Sequence, residues 1–90
     1  MKEIVFDSSQ IETMDELHEK LAEVLGFPDH YGKNLDALYD CLSGEIALPL
    51  KIIWKNYVAT RAKMGKHVAQ ALKVMEDFSR EEPDFIVEIK

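Results

Sequence analysis

Apolar and polar residues follow one another along the chain in blocks that predict seven secondary-structure elements. Three short runs rich in β-branched and aromatic residues are typical of strands: KEIVF (2–6), LKIIW (50–54) and FIVEI (85–89). Between these runs, apolar residues recur every three or four positions, which is the spacing of amphipathic helices. The pattern therefore predicts the order β-α-α-β-α-α-β.

Residues with known capping preferences mark the helix ends. Thr13 and Glu16 have the spacing of a capping box before the first helix, and Gly26 is suited to ending it. Asn34 is a good N-cap for the second helix, and Gly44 is a good terminator.

The two later helices are marked less strongly. Asn56 is expected to cap a third helix that runs to about Met64, and Gly65 separates it from a fourth helix over about 66–82. Pro83 stops the fourth helix, because proline cannot continue it.

Strands that are joined by helical crossovers pair in parallel. The chain of 90 residues is therefore expected to form a single α/β domain (1–90), a three-stranded parallel sheet with four helices. The pattern leaves open whether LKIIW is the central strand or an edge strand, since Lys51 would suit an edge or a solvent-facing position.

The composition is that of a globular protein, with 47% hydrophobic and 31% charged residues. No apolar run approaches the length of a membrane span, and the opening MKEIVFDSSQ lacks the features of a signal peptide. We therefore expect a cytoplasmic protein without membrane association. Cys41 is the single cysteine, which fits a reducing compartment, and its place among apolar helix positions predicts a buried side chain.

Charge is distributed unevenly around the net value of −6. Residues 1–45 hold three basic and eleven acidic side chains, whereas residues 46–75 hold six basic side chains and no acidic one. An acidic chain is a poor general nucleic-acid binder and is suited to a basic partner, whose approach its field would steer. The basic block is open to three interpretations: a solvated face that offsets acidic neighbours, a phosphate-binding patch, or the positive end of a dipole that directs the acidic end at a partner.

The second helix carries the most informative group of side chains. Its apolar residues fill one side, and Asp36 and Asp40 lie four positions apart on the other side, where their repulsion costs roughly 0.2–0.5 kcal/mol. Tyr31 and Tyr39 lie nearby in sequence, and tyrosine is favoured at the centres of protein interfaces. The group is either a polar helix face with two aromatic plugs or a protein-binding hot spot.

Enzyme motifs for nucleotide binding, metal ligation and nucleophilic catalysis do not occur in the chain. An acid–base or metal site built from His30, Asp36 and Asp40 is an alternative with no diagnostic spacing. His18 is expected beside the core, and His67 in solvent. The sequence therefore predicts no catalytic residue, no metal and no cofactor.

From HYGKNLDALYDCLSG (30–44) the sequence resembles the barstar family of ribonuclease inhibitors, most of all in YGxNLDALxDCL. The resemblance covers nearly the whole chain and includes DELHEKL (15–21), LGFPDHYG (25–32) and PLKIIW (49–54). It implies an intracellular inhibitor that forms a 1:1 complex with a small basic, extracellular-type ribonuclease and is a monomer when free. The alternative is a module of the same fold that neutralises a different basic toxin or enzyme.

The resemblance also implies roles for individual residues. Asp40 would take the place of the substrate phosphate, and Asp36 would support the same surface. Tyr31 and Tyr39 would pack against the nuclease, and Asn34 would serve as both helix cap and contact. The complete set of implied partner-binding residues is His30, Tyr31, Asn34, Asp36, Tyr39, Asp40, Ser43, Gly44, Asp77 and Glu81.

Four positions depart from the pattern of the family's best-known member. His30 stands in place of tyrosine, Tyr39 in place of tryptophan, Glu45 in place of an aromatic residue, and Asp77 in place of glutamate. These departures bear on which nuclease is bound more than on the kind of function.

Overall fold

A computed structural model describes residues 1–90 and confirms the predicted α/β fold with its element order. The strands and helices have the following bounds: β1 Lys2–Asp7, α1 Met14–Leu25, α2 Leu35–Gly44, β2 Leu50–Lys55, α3 Tyr57–Met64, α4 Lys66–Glu81 and β3 Phe85–Ile89.

The three strands form one parallel sheet in the order β1-β2-β3, so β2 is the central strand. Lys51 is accommodated there because its Nζ lies 2.7 Å from a carboxylate oxygen of Glu88 on the neighbouring strand. The salt bridge lowers the pKa of the Glu88 carboxyl and raises that of the Lys51 ammonium.

The helices cover one face of the sheet. Phe6, Ile52, Trp54 and Phe85 point into this side and are almost completely buried. Side chains of the opposite face remain accessible, and Val5 is 51% exposed. The binding elements predicted from the sequence, α2 and the loop before it, therefore belong to the helical layer.

A chain of buried hydrogen bonds joins the carboxyl ends of β1 and β2 to α3. The indole Nε1 of Trp54 donates to Ser8 Oγ at 2.9 Å, and Ser8 Oγ lies 2.6 Å from Thr60 Oγ1. Thr60 Oγ1 in turn donates a hydrogen bond to the carbonyl oxygen of Asn56 at 2.9 Å. All three side chains are at most 2% exposed, so each polar atom depends on the next.

Three of the predicted helix caps are confirmed. Thr13 and Glu16 form the complete capping box of α1, and Gly26 follows in the left-handed conformation with φ of 73°. Asn34 Oδ1 accepts from the backbone N–H of Ala37 at 2.8 Å, which caps α2. α2 ends at Gly44, as predicted, with Glu45 as the C-cap.

The predicted side-chain cap of α3 is wrong. Asn56 occupies the N-cap position but is itself left-handed (φ 66°), and its side chain makes no capping hydrogen bond. Its Nδ2 instead donates to Asp7 Oδ1 at 2.9 Å, which ties the start of α3 to the end of β1.

The peptide bond between Leu48 and Pro49, before β2, is cis.

No helix of the fold combines the length and the apolar character needed to cross a bilayer.

Candidate functional site

The outer side of α2 presents two carboxylates that have no cation of this chain beside them. Asp36 and Asp40 are both exposed, and neither takes part in a salt bridge. Leu38 and Leu42 are buried on the opposite side of the helix, which fixes the direction in which the carboxylates point. α2 is therefore an anchored helix with two free negative charges on its outer side.

The loop before α2 is held to α1 by Tyr31. This side chain is 8% exposed, and its hydroxyl lies 2.6 Å from Nδ1 of the buried His18. Its ring also packs on Phe27, with the ring centroids 4.9 Å apart. Burial lowers the pKa of the His18 imidazole and raises that of the Tyr31 hydroxyl, so the pair is neutral.

Tyr31 was predicted to contact a partner, and the structure places it beneath the surface instead. Its direct contact with a partner stays a prediction, and its position indicates that it holds the loop. The neighbouring His30 is exposed, as are Asn34 and Ser43. His18 was expected beside the core, and the structure confirms this.

α2 and the C-terminal part of α4 meet through Tyr39. Its hydroxyl donates to Glu81 Oε2 at 2.7 Å, and its ring packs edge-on against Phe78 with centroids 6.0 Å apart. The hydrogen bond to the Glu81 carboxylate raises the pKa of the Tyr39 hydroxyl. The fold therefore brings Glu81 next to α2, although Tyr39 and Glu81 lie 42 positions apart in sequence.

Asp77 differs from the other predicted carboxylates. Lys73 Nζ lies 3.3 Å from its carboxylate, and Arg80 forms a second ion pair with it. Both cations belong to α4, so the charge of Asp77 is balanced within its own helix. The unbalanced acidic surface consists of Asp36, Asp40 and Glu81, which we call the acidic face.

A shallow groove of about 230 Å³ lies between α2 and the loop before it. Asp40 and Glu45 line it from α2 and its C-cap, and His30 lines it from the loop. Cys41 lies between the two carboxylates; burial raises the pKa of its thiol first, and the charges of Glu45 and Asp40 raise it further. Cys41 is buried, as predicted.

Glu45 was not among the residues predicted to bind a partner. The signal for it in the sequence is its place one helical turn after Cys41, and the structure sets it at the same groove as Asp40. Gly44, which precedes it, is exposed and has no heavy atom within 4 Å of the position of a Cβ, so its surroundings leave room for close approach.

The structure does not support the alternative of a metal site at His30, Asp36 and Asp40. No three histidine, cysteine, aspartate or glutamate side chains are grouped so that they could hold a metal ion. His30, Asp36 and Asp40 remain surface side chains without a shared ligand position.

Comparison of the chain with known proteins identifies its family. The family model of barstar, described as a barnase inhibitor, matches residues 1–90. The chain belongs to the barstar family. The putative ribonuclease inhibitor YrdF of Bacillus subtilis (strain 168) is 38% identical over 84 residues, which cover 93% of this chain and 92% of that protein. Members of the barstar family bind barnase-type ribonucleases and act as inhibitors rather than as enzymes.

Proposed function

We propose that this protein inhibits a barnase-type ribonuclease by covering the active site with α2 and the loop before it. The observation that carries the proposal is the pair of exposed carboxylates, Asp36 and Asp40, without a cation of their own chain. A ribonuclease active site is cationic because it must hold a phosphate and stabilise the charge that develops on it.

Asp40 is the carboxylate that we assign to the position of the substrate phosphate. It borders the groove between α2 and the loop, where an arginine or histidine of the nuclease could reach it. Asp36 lies one helical turn earlier and would meet a second basic side chain. The small repulsion between the two carboxylates in the free protein becomes attraction when cations of the partner approach both.

The surrounding residues support binding in two different ways. His30, Asn34, Ser43 and Gly44 are exposed around the two carboxylates and form the proposed contact surface. Tyr31 and Tyr39 hold this surface in place: the Tyr31 hydroxyl bonds to His18 of α1 and the Tyr39 hydroxyl to Glu81 of α4. Such anchoring reduces the ordering cost that a flexible loop would have on binding.

The test is a titration of a barnase-type ribonuclease with the wild-type protein and with two isosteric variants. Asp40→Asn removes one charge from the acidic face, and Glu3→Gln removes one charge from the exposed face of the sheet. We expect stoichiometric inhibition by the wild type and by Glu3→Gln. Asp40→Asn should bind at least about 30-fold more weakly, since removing one partner of a desolvated charge pair costs roughly 2–5 kcal/mol.

Equal inhibition by both variants would show that the binding face is elsewhere. Lack of inhibition by the folded wild type would point to the alternative that the same fold neutralises a different basic protein. Inhibition that is lost in Asp40→Asn while its circular dichroism spectrum is unchanged supports the proposed role of Asp40.

A further inference from the structure

The groove between α2 and the loop before it is suited to a single side chain of a partner. Ala37, Cys41 and Glu45 line it and follow one another at intervals of four, so they form one row along α2. The first two are small, which leaves the space of the groove, and Pro28 and Tyr31 line it from the loop. Its volume of about 230 Å³ is below the roughly 300–1,000 Å³ of small-molecule sites and fits an anchor residue of a protein partner.

Both walls of the groove are fixed in the free protein. The backbone N–H of Glu45 donates to the carbonyl oxygen of Cys41 at 2.8 Å, so Glu45 continues the hydrogen bonding of α2. On the loop, the backbone N–H of Tyr31 donates to the carbonyl oxygen of Pro28 at 3.0 Å, and the Tyr31 hydroxyl lies 2.6 Å from His18 Nδ1. A side chain that enters the groove therefore has little ordering of the protein to offset.

The charges at the groove are negative and have no cation of the chain beside them. Asp40 and Glu45 line the groove, and no lysine or arginine does. Neither carboxylate takes part in a salt bridge. Burial, and then the charges of Glu45 and Asp40, raise the pKa of the Cys41 thiol, so both carboxylates act on the groove from nearby.

Glu45 gives no advantage to the helix that ends beside it. It is the C-cap of α2, whose last turn contains no basic residue. A carboxylate at this end is opposed by the helix dipole, which favours a cation there. The dipole and the two carboxylates of the groove together attract a cation that the chain itself does not supply.

A long basic side chain fits the groove better than a metal ion does. No three histidine, cysteine, aspartate or glutamate side chains are grouped so that they could hold a metal ion. Pro28 and Ala37 provide apolar contacts for the stem of a long side chain whose charged end stays at the carboxylates. Arginine is better suited than lysine, because its planar guanidinium presents five donors in a fixed fork and can bond to two carboxylates at once.

We propose that Glu45 is a specificity-determining residue of the inhibitor: together with Asp40, it holds in the groove one arginine side chain that borders the phosphate site of the nuclease. A nuclease with an apolar residue at that position is discriminated against, because Glu45 would lose its water without gaining a partner. The inference rests on the proposed inhibitory function. Asp40 serves inhibition of any such nuclease, whereas Glu45 serves the choice among them.

The experiment is a double-mutant cycle on the complex with a barnase-type ribonuclease. Each arginine of the nuclease active site is replaced in turn by glutamine, and calorimetry gives dissociation constants for the wild-type inhibitor and for Glu45→Gln. We expect Glu45→Gln to bind the wild-type nuclease at least about tenfold more weakly. In one arginine variant the same change should cost less than about threefold, because the partner of Glu45 is then already absent. That arginine should also be coupled to Asp40, measured with Asp40→Asn.

Glu3→Gln is the matched control, since it removes one charge from the exposed face of the sheet. It should bind every nuclease variant as the wild type does. Glu45→Gln should unfold at no lower denaturant concentration than the wild type, because the carboxylate that it removes opposes the helix dipole. The variant Glu45→Leu should reverse the preference: it should bind the nuclease whose coupled arginine is replaced by leucine more tightly than the wild-type inhibitor does.

Tight binding of the wild type together with an equal dissociation constant for Glu45→Gln would overturn the inference and leave the proposed function standing. So would a loss in Glu45→Gln that keeps its full size in every arginine variant, since the effect would then belong to net charge. A folded wild type that does not bind the nuclease would overturn the proposed function itself, and this inference with it.

Discussion

The hydroxyl of Tyr39 donates a hydrogen bond of 2.7 Å to the carboxylate of Glu81 and thereby joins α2 to the last turn of α4. This bond crosses 42 positions of sequence and fixes one carboxylate of the acidic face relative to the helix that carries the other two. The acidic face is therefore built from two helices, and Tyr39 links them through this bond and through the packing of its ring on Phe78.

The Tyr39–Glu81 bond should be visible in an alkaline titration. Because the bond raises the pKa of the Tyr39 hydroxyl, Glu81→Gln should lower that pKa toward its ordinary value of 10.0. Ultraviolet difference titration measures it, with Tyr39→Phe identifying the contribution of this tyrosine. Glu76→Gln, which removes an exposed charge from the same helix, should leave the titration of Tyr39 unchanged; a similar shift in both glutamate variants would contradict the contact.

His18 should make stability fall on the acid side of neutrality. Burial lowers its pKa in the folded state, so the unfolded chain takes up a proton first as the pH falls below the ordinary value of 6.5. The contribution of His18 to the free energy of unfolding should therefore be constant above this pH and decrease below it, until the pH reaches the lowered folded-state pKa. The slope contributed by one such group is at most about 1.4 kcal/mol per pH unit.

Urea unfolding at a series of pH values measures this effect. His18→Gln should lose the dependence in that interval, whereas His67→Gln, at an exposed position, should keep it. An unchanged pH dependence in His18→Gln would show that another group is responsible.

Ser8→Ala should destabilise the fold, because it leaves the buried indole N–H of Trp54 without its acceptor. An unsatisfied buried polar group costs about 1–3 kcal/mol, and Thr60 Oγ1 would lose one of its hydrogen-bond partners while keeping the carbonyl oxygen of Asn56. Chemical denaturation measures the loss. Ser9→Ala, at the exposed neighbouring position, should change the free energy of unfolding by less than about 0.5 kcal/mol.

Salt should weaken binding to a barnase-type ribonuclease mainly through the association rate, because the exposed charges of the acidic face act at long range. Asp36→Asn should reduce the dependence of this rate on ionic strength more than Glu3→Gln does. Stopped-flow mixing at several salt concentrations provides the rates. Equal salt dependence in both variants would show that net charge, rather than the acidic face, governs the encounter.

Much of the architecture was predictable from local sequence. The strands are apolar runs, and α1 and α2 begin directly after Thr13 and Asn34, whose side chains cap the helices as their sequence context indicates. The central place of β2 was not predictable, because it follows from its pairing with both β1 and β3, which lie far from it in sequence.

The site was predictable only where its residues lie on one secondary-structure element. Asp36 and Asp40 share a helix, so their common exposure followed from helical periodicity. The surroundings of Tyr31 and Asp77 did not follow: Tyr31 is buried against His18 of α1, and the charge of Asp77 is balanced by Lys73 and Arg80. Whether a side chain is free to meet a partner depends on neighbours that spacing alone does not identify.

The buried thiol of Cys41 provides a built-in reporter on the binding helix. It is 8% exposed at the groove beside α2, and burial raises its pKa, so little of the reactive thiolate is present and modification of the native protein should be slow. The rate at which a thiol reagent modifies the native protein therefore reports on access to this groove. A bound partner that covers the groove should slow this modification further, so the same cysteine can follow complex formation without an attached label.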